Sequence, residues 1–423
     1  MTATLSGRVT LDDSIFNPED HAFIRDPYPT FRRLHAGYPV AWHDRLQAWF
    51  VSSHELAAAA LRDTEHLSIR IDDWEYAPPN YGQKAESEKT GFDRMWEHSL
   101  WTIPRDKHIR LRRLAMPAFS RTVMEKIEVR IKDLVNKVFD DIGQADEIEA
   151  YSQIGRLIPA AAIARMVGIP RENEAVFEGL AWHMAEAQSP NLSQAERDAA
   201  MARVLPGFEM LEALVREYRA MKDPGDGFLG QLVKAQDGDA RLSDWDIISL
   251  VSAVLVAGAD TSIDLHTLAL RALLGNPEQK ALLREKPELG DAFLLESLRQ
   301  GVPGKSGLHR YALSDFELGG QRIRKGQRVC PFYSAANVDP QQYPDPERFD
   351  MSRSHEGNIL FGAGPHFCIG NMLARVQGLL MIREFMARFP DAELVDGTGD
   401  IDYDYHHHNA RRITRLRIKT NIH

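Results

Sequence analysis

From Ser243 to about Leu274 the chain repeats apolar residues at helical spacing, and Gly275-Asn276-Pro277 ends the run. Ser243 followed by Asp246 has the form of a capping box at its start. A helix of that length covers on the order of 45–50 Å at the standard rise per residue, enough to cross a protein. Other elements must pack around it. At its middle stands Ala257-Gly258-Ala259-Asp260-Thr261, where a glycine and a polar pair interrupt the apolar pattern. Side-chain hydroxyls compete for backbone carbonyls, so this stretch is expected to disturb the regular hydrogen-bond ladder.

Helical patterns dominate from Asp106 onward: Lys107 to Ala118, Val123 to Ile142, Tyr151 to Val167, Glu172 to Gln188, Ala195 to Met221 and Leu289 to Gln300. Before them, residues 1–25 read as a loosely held arm. A helix ends at Gly37, Val40 to Val51 reads as a hairpin, and Ser53 caps a helix from His54 to Leu61. Residues 70–103 read as an irregular excursion rich in aromatics, either a binding loop or local packing. Alternation in Leu313 to Val329 predicts short strands, and Ala392 to Ile418 a further hairpin. The expectation is one mainly α domain over residues 1–423 with small β-sheets near both ends.

The 423 residues carry a formal net charge of −10, which argues against a nucleic-acid partner. The N-terminal residues lack an apolar core segment, so no signal peptide or membrane anchor is expected, and the stretch near residue 255 is broken by Ser, Gly and Asp. Two cysteines, Cys330 and Cys368, fit a reducing cytosol better than a disulfide framework.

Cys368 lies in Phe361-Gly362-Ala363-Gly364-Pro365-His366-Phe367-Cys368-Ile369-Gly370, just before a helical run from Asn371 to Phe389. Glycines allow a tight turn with close backbone approach. Backbone N–H groups and the helix dipole favour a thiolate at a helix start. Cys368 is therefore read as a thiolate ligand to a haem iron.

Three further stretches accompany that loop: Glu296-Ser297-Leu298-Arg299, Ala257 to Thr261, and His108-Ile109-Arg110-Leu111-Arg112. In order and spacing they resemble the cytochrome P450 superfamily of haem-thiolate monooxygenases, over about residues 20–420. The resemblance implies that family's prism-like fold, with haem b between the long helix and the cysteine helix. It assigns Cys368 to the iron, Phe361 and Gly370 to the thiolate's surroundings, and His108, Arg112, Arg310 and His366 to the haem propionates. Glu296 and Arg299, with Arg348 from the meander, form a structural network. Thr261 is the hydrogen-bonding hydroxyl on the oxygen side, and Asp260 helps relay protons. One departure is Gln377, where the family often has glutamate.

Family position also suggests a substrate pocket. It draws on Trp74, Tyr76, Tyr81, Phe92 and Trp96 from the 70–103 region, Trp182 from the 182–192 turn, and Ala253, Val254 and Ala257 from the long helix. The glycine-rich 302–307 segment adds room for something bulky and Lys305, which meets a polar group or points to solvent. His407, in His406-His407-His408, completes it; metal binding there is disfavoured because adjacent strand residues point to alternate sides. The implied substrate is large and mostly apolar. Several segments resemble members that tailor polyketide macrolides, the epothilone epoxidase among them; terpenoid, steroid and fatty-acid hydroxylation are alternatives. Electrons are expected from NAD(P)H through a ferredoxin reductase and a ferredoxin docked on Arg110, Arg113 and Arg375. A monomeric bacterial cytoplasmic enzyme using O2 is the expectation, with a non-catalytic haem- or ligand-binding protein as the alternative of another class.

Overall fold

The computed structural model describes residues 7–77, 85–187, 193–237, 240–407 and 409–421; Tyr81, residues 188–192 and His408 lie outside them. The chain forms two compact units. The first takes Met1–Tyr81, Leu268–Cys368 and Ile401–Arg415, the second Gly82–Thr267, Ile369–Asp400 and Leu416–His423.

The first unit is built on a six-stranded sheet. Its order is Thr10–Leu11, Val40–His43, Ala48–Val51, Arg328–Pro331, Arg310–Ala312, Leu67–Ser68. The expected hairpin is there, with Trp42 opposite Trp49 and their rings 5.6 Å apart, edge to face. Both indoles are buried with Val40, Val51, Leu61 and Val329 in one core cluster. Helix His54–Arg62 packs there, but Ser53 makes no side-chain cap. The His54 N–H donates instead to Asp339, 2.9 Å away. A distant carboxylate thus replaces the local cap.

The N-terminal arm is not loose from residue 10 onward. Thr10–Leu11 pairs in parallel with Trp42 and His43. Phe16 is 1% exposed, its ring 4.9 Å from Phe50 and 5.4 Å from Phe23. Isolated aromatics in a polar stretch give no periodic signal, so only the completed core reveals that they are buried.

The second unit is mostly helical. Arg121–Ile142 packs on Asn371–Arg388, with the Phe139 ring near Phe385 and Phe389 at 6.3 and 6.0 Å. Glu174–Ala187 and Gln194–Ala220 lie close, since a Cβ at Gly207 would come within 2.8 Å of Leu180. A small sheet joins Glu147–Glu149, Arg417–Lys419 and Glu393–Leu394. The C-terminal tail is therefore not one hairpin: Asp402–Tyr403 pairs with Ile413–Arg415 in the first unit, and the following strand pairs in the second.

The long helix spans Asp244–Gly275 with the expected reciprocal cap, Asp246 N–H to Ser243 Oγ at 3.1 Å and Ser243 N–H to Asp246 at 2.8 Å. Among the described residues it is the one helix long and apolar enough to cross a membrane, yet 67% of its most apolar window is buried inside the protein. Burial of that kind marks a core helix.

Residues 85–103 are more ordered than the sequence suggests. Thr90 and Asp93 form a capping box at the start of helix Gly91–Glu97. That helix is tied to the long one by Ser249 Oγ donating to the Met95 carbonyl at 2.8 Å and by His98 Nδ1 to Asp246 at 2.7 Å.

Candidate active site

The cysteine loop is a set of nested turns. Gly362 and Gly364 have φ of +75° and +69°, which only glycine adopts without strain. A Cβ on Gly364 would also lie 2.9 Å from the Leu61 carbonyl oxygen. The Cys368 N–H closes the loop on the Phe361 carbonyl at 2.9 Å, and Phe367 N–H bonds to Gly364 at 3.0 Å. Cys368 is half-buried, and its chain continues through Gly370, the N-cap of Asn371–Arg388. Cys330, by contrast, is fully buried in a strand, and burial pushes its thiol up to about 12. Of the two cysteines, only Cys368 has the setting of a ligand.

Glu296 and Arg299 are both buried and joined by two hydrogen bonds of 2.7 Å. Arg299 also donates to the carbonyls of Pro346 at 2.7 Å, Arg348 at 3.2 Å and Asn337 at 3.4 Å. Arg348 thus contributes its backbone, and its side chain is exposed, contrary to the sequence expectation. The guanidinium facing Glu296 is that of Arg353, at 3.6 Å, with His355 at 3.8 Å and the Asp350 N–H at 3.0 Å. Arg353 and His355 escaped the sequence reading because no helical spacing links them to Glu296.

The expected propionate partners divide between the units. In the first, Arg310 is 6% exposed and donates to the carbonyl of its neighbour His309 at 2.9 Å. Burial pulls its pKa down to about 10, and among the described residues no carboxylate pairs with it. A buried guanidinium in that state suits an anionic group of a ligand. His366 lies half-buried in the cysteine loop. In the second unit, His108 is buried and Arg112 half-buried on helix Arg105–Ala115. Burial, and then Arg112, lower the His108 pKa to about 4, so its imidazole is neutral.

On the long helix Ala257 and Thr261 are exposed, one turn apart, amid buried neighbours. The Thr261 hydroxyl donates to the Ala257 carbonyl at 2.7 Å. Asp260 is half-buried beside it. The helix runs unbroken from Asp244 to Gly275, and the Thr261 bond to the Ala257 carbonyl is the side-chain competition expected there. Gly258 has a packing role: a Cβ there would come within 2.8 Å of Ile163.

The sequence model of the family Cytochrome P450 matches residues 86–398. The chain belongs to the cytochrome P450 family. It is similar to Cytochrome P450 107B1 of Saccharopolyspora erythraea, 29% identical over 91% of this chain and 93% of that protein. It is also similar to the Epothilone C/D epoxidase of Sorangium cellulosum, 27% identical over 90% of each. Among solved structures, epothilone B-bound Cytochrome P450epoK matches with a TM-score of 0.86 and 26% identity, over 96% of this chain and 100% of that one. The protein is thus a mainly helical P450 monooxygenase. The family uses haem-thiolate iron, O2 and electrons from redox partners.

The pocket candidates of this P450 do not all stand where its sequence suggested. Trp74 packs on the sheet of the first unit, with the Arg328 guanidinium 4.9 Å over its ring and Tyr311 at 6.2 Å, which is local packing. Tyr76 is 54% exposed beside it. Phe92 and Trp96 stack in the second unit at 6.1 Å and are half-buried. Trp182 carries the Arg156 guanidinium 4.7 Å over its ring. Ala253 and Val254 are buried at 9% each.

The 302–307 segment holds a further correction. A Cβ on Gly304 would collide with the Tyr333 hydroxyl, and one on Gly307 would meet the Pro331 carbonyl at 2.6 Å. These glycines are filled in by neighbours and do not open a space. Lys305 does not point to solvent either: it is 2% exposed, and burial lowers its pKa despite attraction from Asp404 and Glu19. His407 accepts the N–H groups of Ala410 and Asn409 on Nδ1, at 2.8 and 3.2 Å. The His406–His407 stretch is a turn closed by Asp404. Among the described residues no cluster of His, Cys, Asp and Glu could hold a metal ion.

Proposed function

We propose that this P450 inserts one oxygen atom from O2 into a bulky, mostly apolar small molecule, by hydroxylation or epoxidation, and that Cys368 is its iron ligand. The observation that carries the reading is the Cys368 loop, where two left-handed glycines and a backbone bond to Phe361 hold a half-buried cysteine ahead of a helix. Haem bound there would supply activation of dioxygen. Phe361 shields the cysteine from water, and the Gly370 N–H tempers the sulfur's basicity. The residues that would hold the haem propionates are Arg310, which no carboxylate pairs among the described residues, neutral His108, Arg112 and His366. The Thr261 hydroxyl accepts and passes on a proton on the oxygen side, and Asp260 brings protons from solvent.

The substrate class is a polyketide or macrolide. The likeness to the epothilone epoxidase supports it, as does the half-buried Phe92–Trp96 stack. Electrons come from NAD(P)H through a reductase and a ferredoxin that docks on Arg110, Arg113 and Arg375, and added salt weakens that docking. The reading is of a monomer in a bacterial cytoplasm.

The test is the difference spectrum of the reduced protein with carbon monoxide. A band near 450 nm is expected; a native band near 420 nm refutes a thiolate ligand. Titration with macrolides, terpenes, steroids and fatty acids then ranks substrate classes by the type I shift. Thr261→Ala is expected to divert NAD(P)H electrons from product to peroxide, and unchanged coupling would remove Thr261 from the proton path.

A further inference from the structure

Two buried contacts hold the middle of the long helix within the second unit. Gly258 lets Ile163 approach to where a Cβ would stand 2.8 Å away. One turn on, Ser262 Oγ accepts a hydrogen bond from Nε2 of Gln377 at 2.8 Å. Gln377 is 1% exposed on Asn371–Arg388, and Ser262 is 3% exposed. Ala257 and Thr261 are exposed on another face of the same turns. The helix cannot roll about its axis without breaking the Ser262 bond or opening a gap at Gly258. Roll at this point sets the direction of the Thr261 side chain.

Gln377 is an expensive residue for mere packing. Its Oε1 is buried and has no hydrogen-bond partner among the described residues. A leucine or methionine of similar volume would leave no orphaned polar atom on this side. The bonded end reaches the residue next to Thr261. An amide at this position also carries no charge, unlike the glutamate common in the family.

We propose that Gln377 is a positioning residue: through Ser262 it fixes the roll of the long helix and thereby the direction in which Thr261 presents its hydroxyl. The inference rests on the reading of Thr261 as the oxygen-side hydroxyl. The variants that test it are Gln377→Leu, Ser262→Ala and their double, each made also in a Thr261→Val background. Carbon monoxide is the probe, and the infrared C–O stretch of the reduced complex is the readout. Hydrogen exchange of the 258–263 amides in the protein as isolated is the second.

The expected result is a displaced or split C–O band in both single variants, no further change in the double, and no effect of Gln377→Leu once Thr261 is valine. Exchange at 258–263 rises by roughly 3- to 10-fold, the loss of one buried hydrogen bond. A lowered melting temperature with an unmoved C–O band overturns the proposal, since it leaves only a structural role. So does a Gln377→Leu effect that survives in the Thr261→Val background. If Gln377→Leu fails to fold, Ser262→Ala carries the same comparison. A wild-type band at 420 nm defeats the haem-thiolate reading instead, and unchanged exchange in both single variants defeats the Gln377–Ser262 link on its own.

Discussion

Replacing Glu296 by methionine gives the strongest stability test. The side chain is fully buried and its oxygens take two 2.7 Å bonds from Arg299. Methionine fills the volume but leaves Arg299 without a counter-charge, with Arg353 formerly 3.6 Å from the carboxylate. Removing one partner of a buried pair costs about 3–5 kcal/mol. The Asp350 N–H, 3.0 Å from Glu296, loses its acceptor as well, adding about 1 kcal/mol. Arg299 keeps the Pro346 carbonyl at 2.7 Å, so the total should stay near 4–6 kcal/mol. At about 3 °C per kcal/mol for a cooperative unit of 150–250 residues, the melting temperature falls by roughly 12–18 °C. The assay is thermal unfolding by far-ultraviolet circular dichroism at a fixed scan rate, with haem content measured alongside. Glu296→Met/Arg299→Met removes both charges, and its loss should fall short of the sum of the singles by about 2 kcal/mol or more. A single-variant loss below about 1 kcal/mol, or strict additivity in the double, refutes the reasoning.

Other expectations follow from groups left in unusual states. Arg310→Leu should stabilise the haem-free protein while speeding haem loss to apomyoglobin about 10-fold or more, because a buried cation is costly alone and valuable beside an anion. Equal effects on both forms would refute it. His266 is buried beside the Gly155 backbone, and burial lowers its pKa to about 3 from 6.5 despite that contact. The unfolded chain then binds the extra proton first, so stability is lost as pH falls below 6.5 toward 3; urea midpoints at pH 7, 5.5 and 4.5 should show a shallower loss in His266→Leu. His98→Ala removes the 2.7 Å contact to Asp246, and amide exchange in helix Gly91–Glu97 should quicken by roughly 3- to 10-fold.

The sequence carried more of the site than of its surroundings. The cysteine loop was legible because its demands are local: Gly362 and Gly364 need left-handed backbone, and a helix start follows Cys368. Glu296 and Arg299 were legible for the same reason, one turn apart on one helix face. Arg353 was not, because it reaches Glu296 through an irregular stretch where no period operates. Arg348 stood out by motif, yet its side chain is exposed and only its carbonyl serves Arg299. Burial was the least legible property. Lys305 looks like a solvent residue in any composition, and the glycines around it look like open space.

By itself, then, the sequence determined the long helix with its cap, the Trp42–Trp49 hairpin, the cysteine turn and the Glu296–Arg299 pair, since periodicity, φ preference and one-turn spacing act between near neighbours. Tertiary structure alone decided that the arm is anchored by Phe16, that the tail's strands part company, and that Gln377 finds Ser262 115 positions away. Those outcomes depend on which surfaces meet when the core closes, and contacts between distant segments leave no period in a single chain.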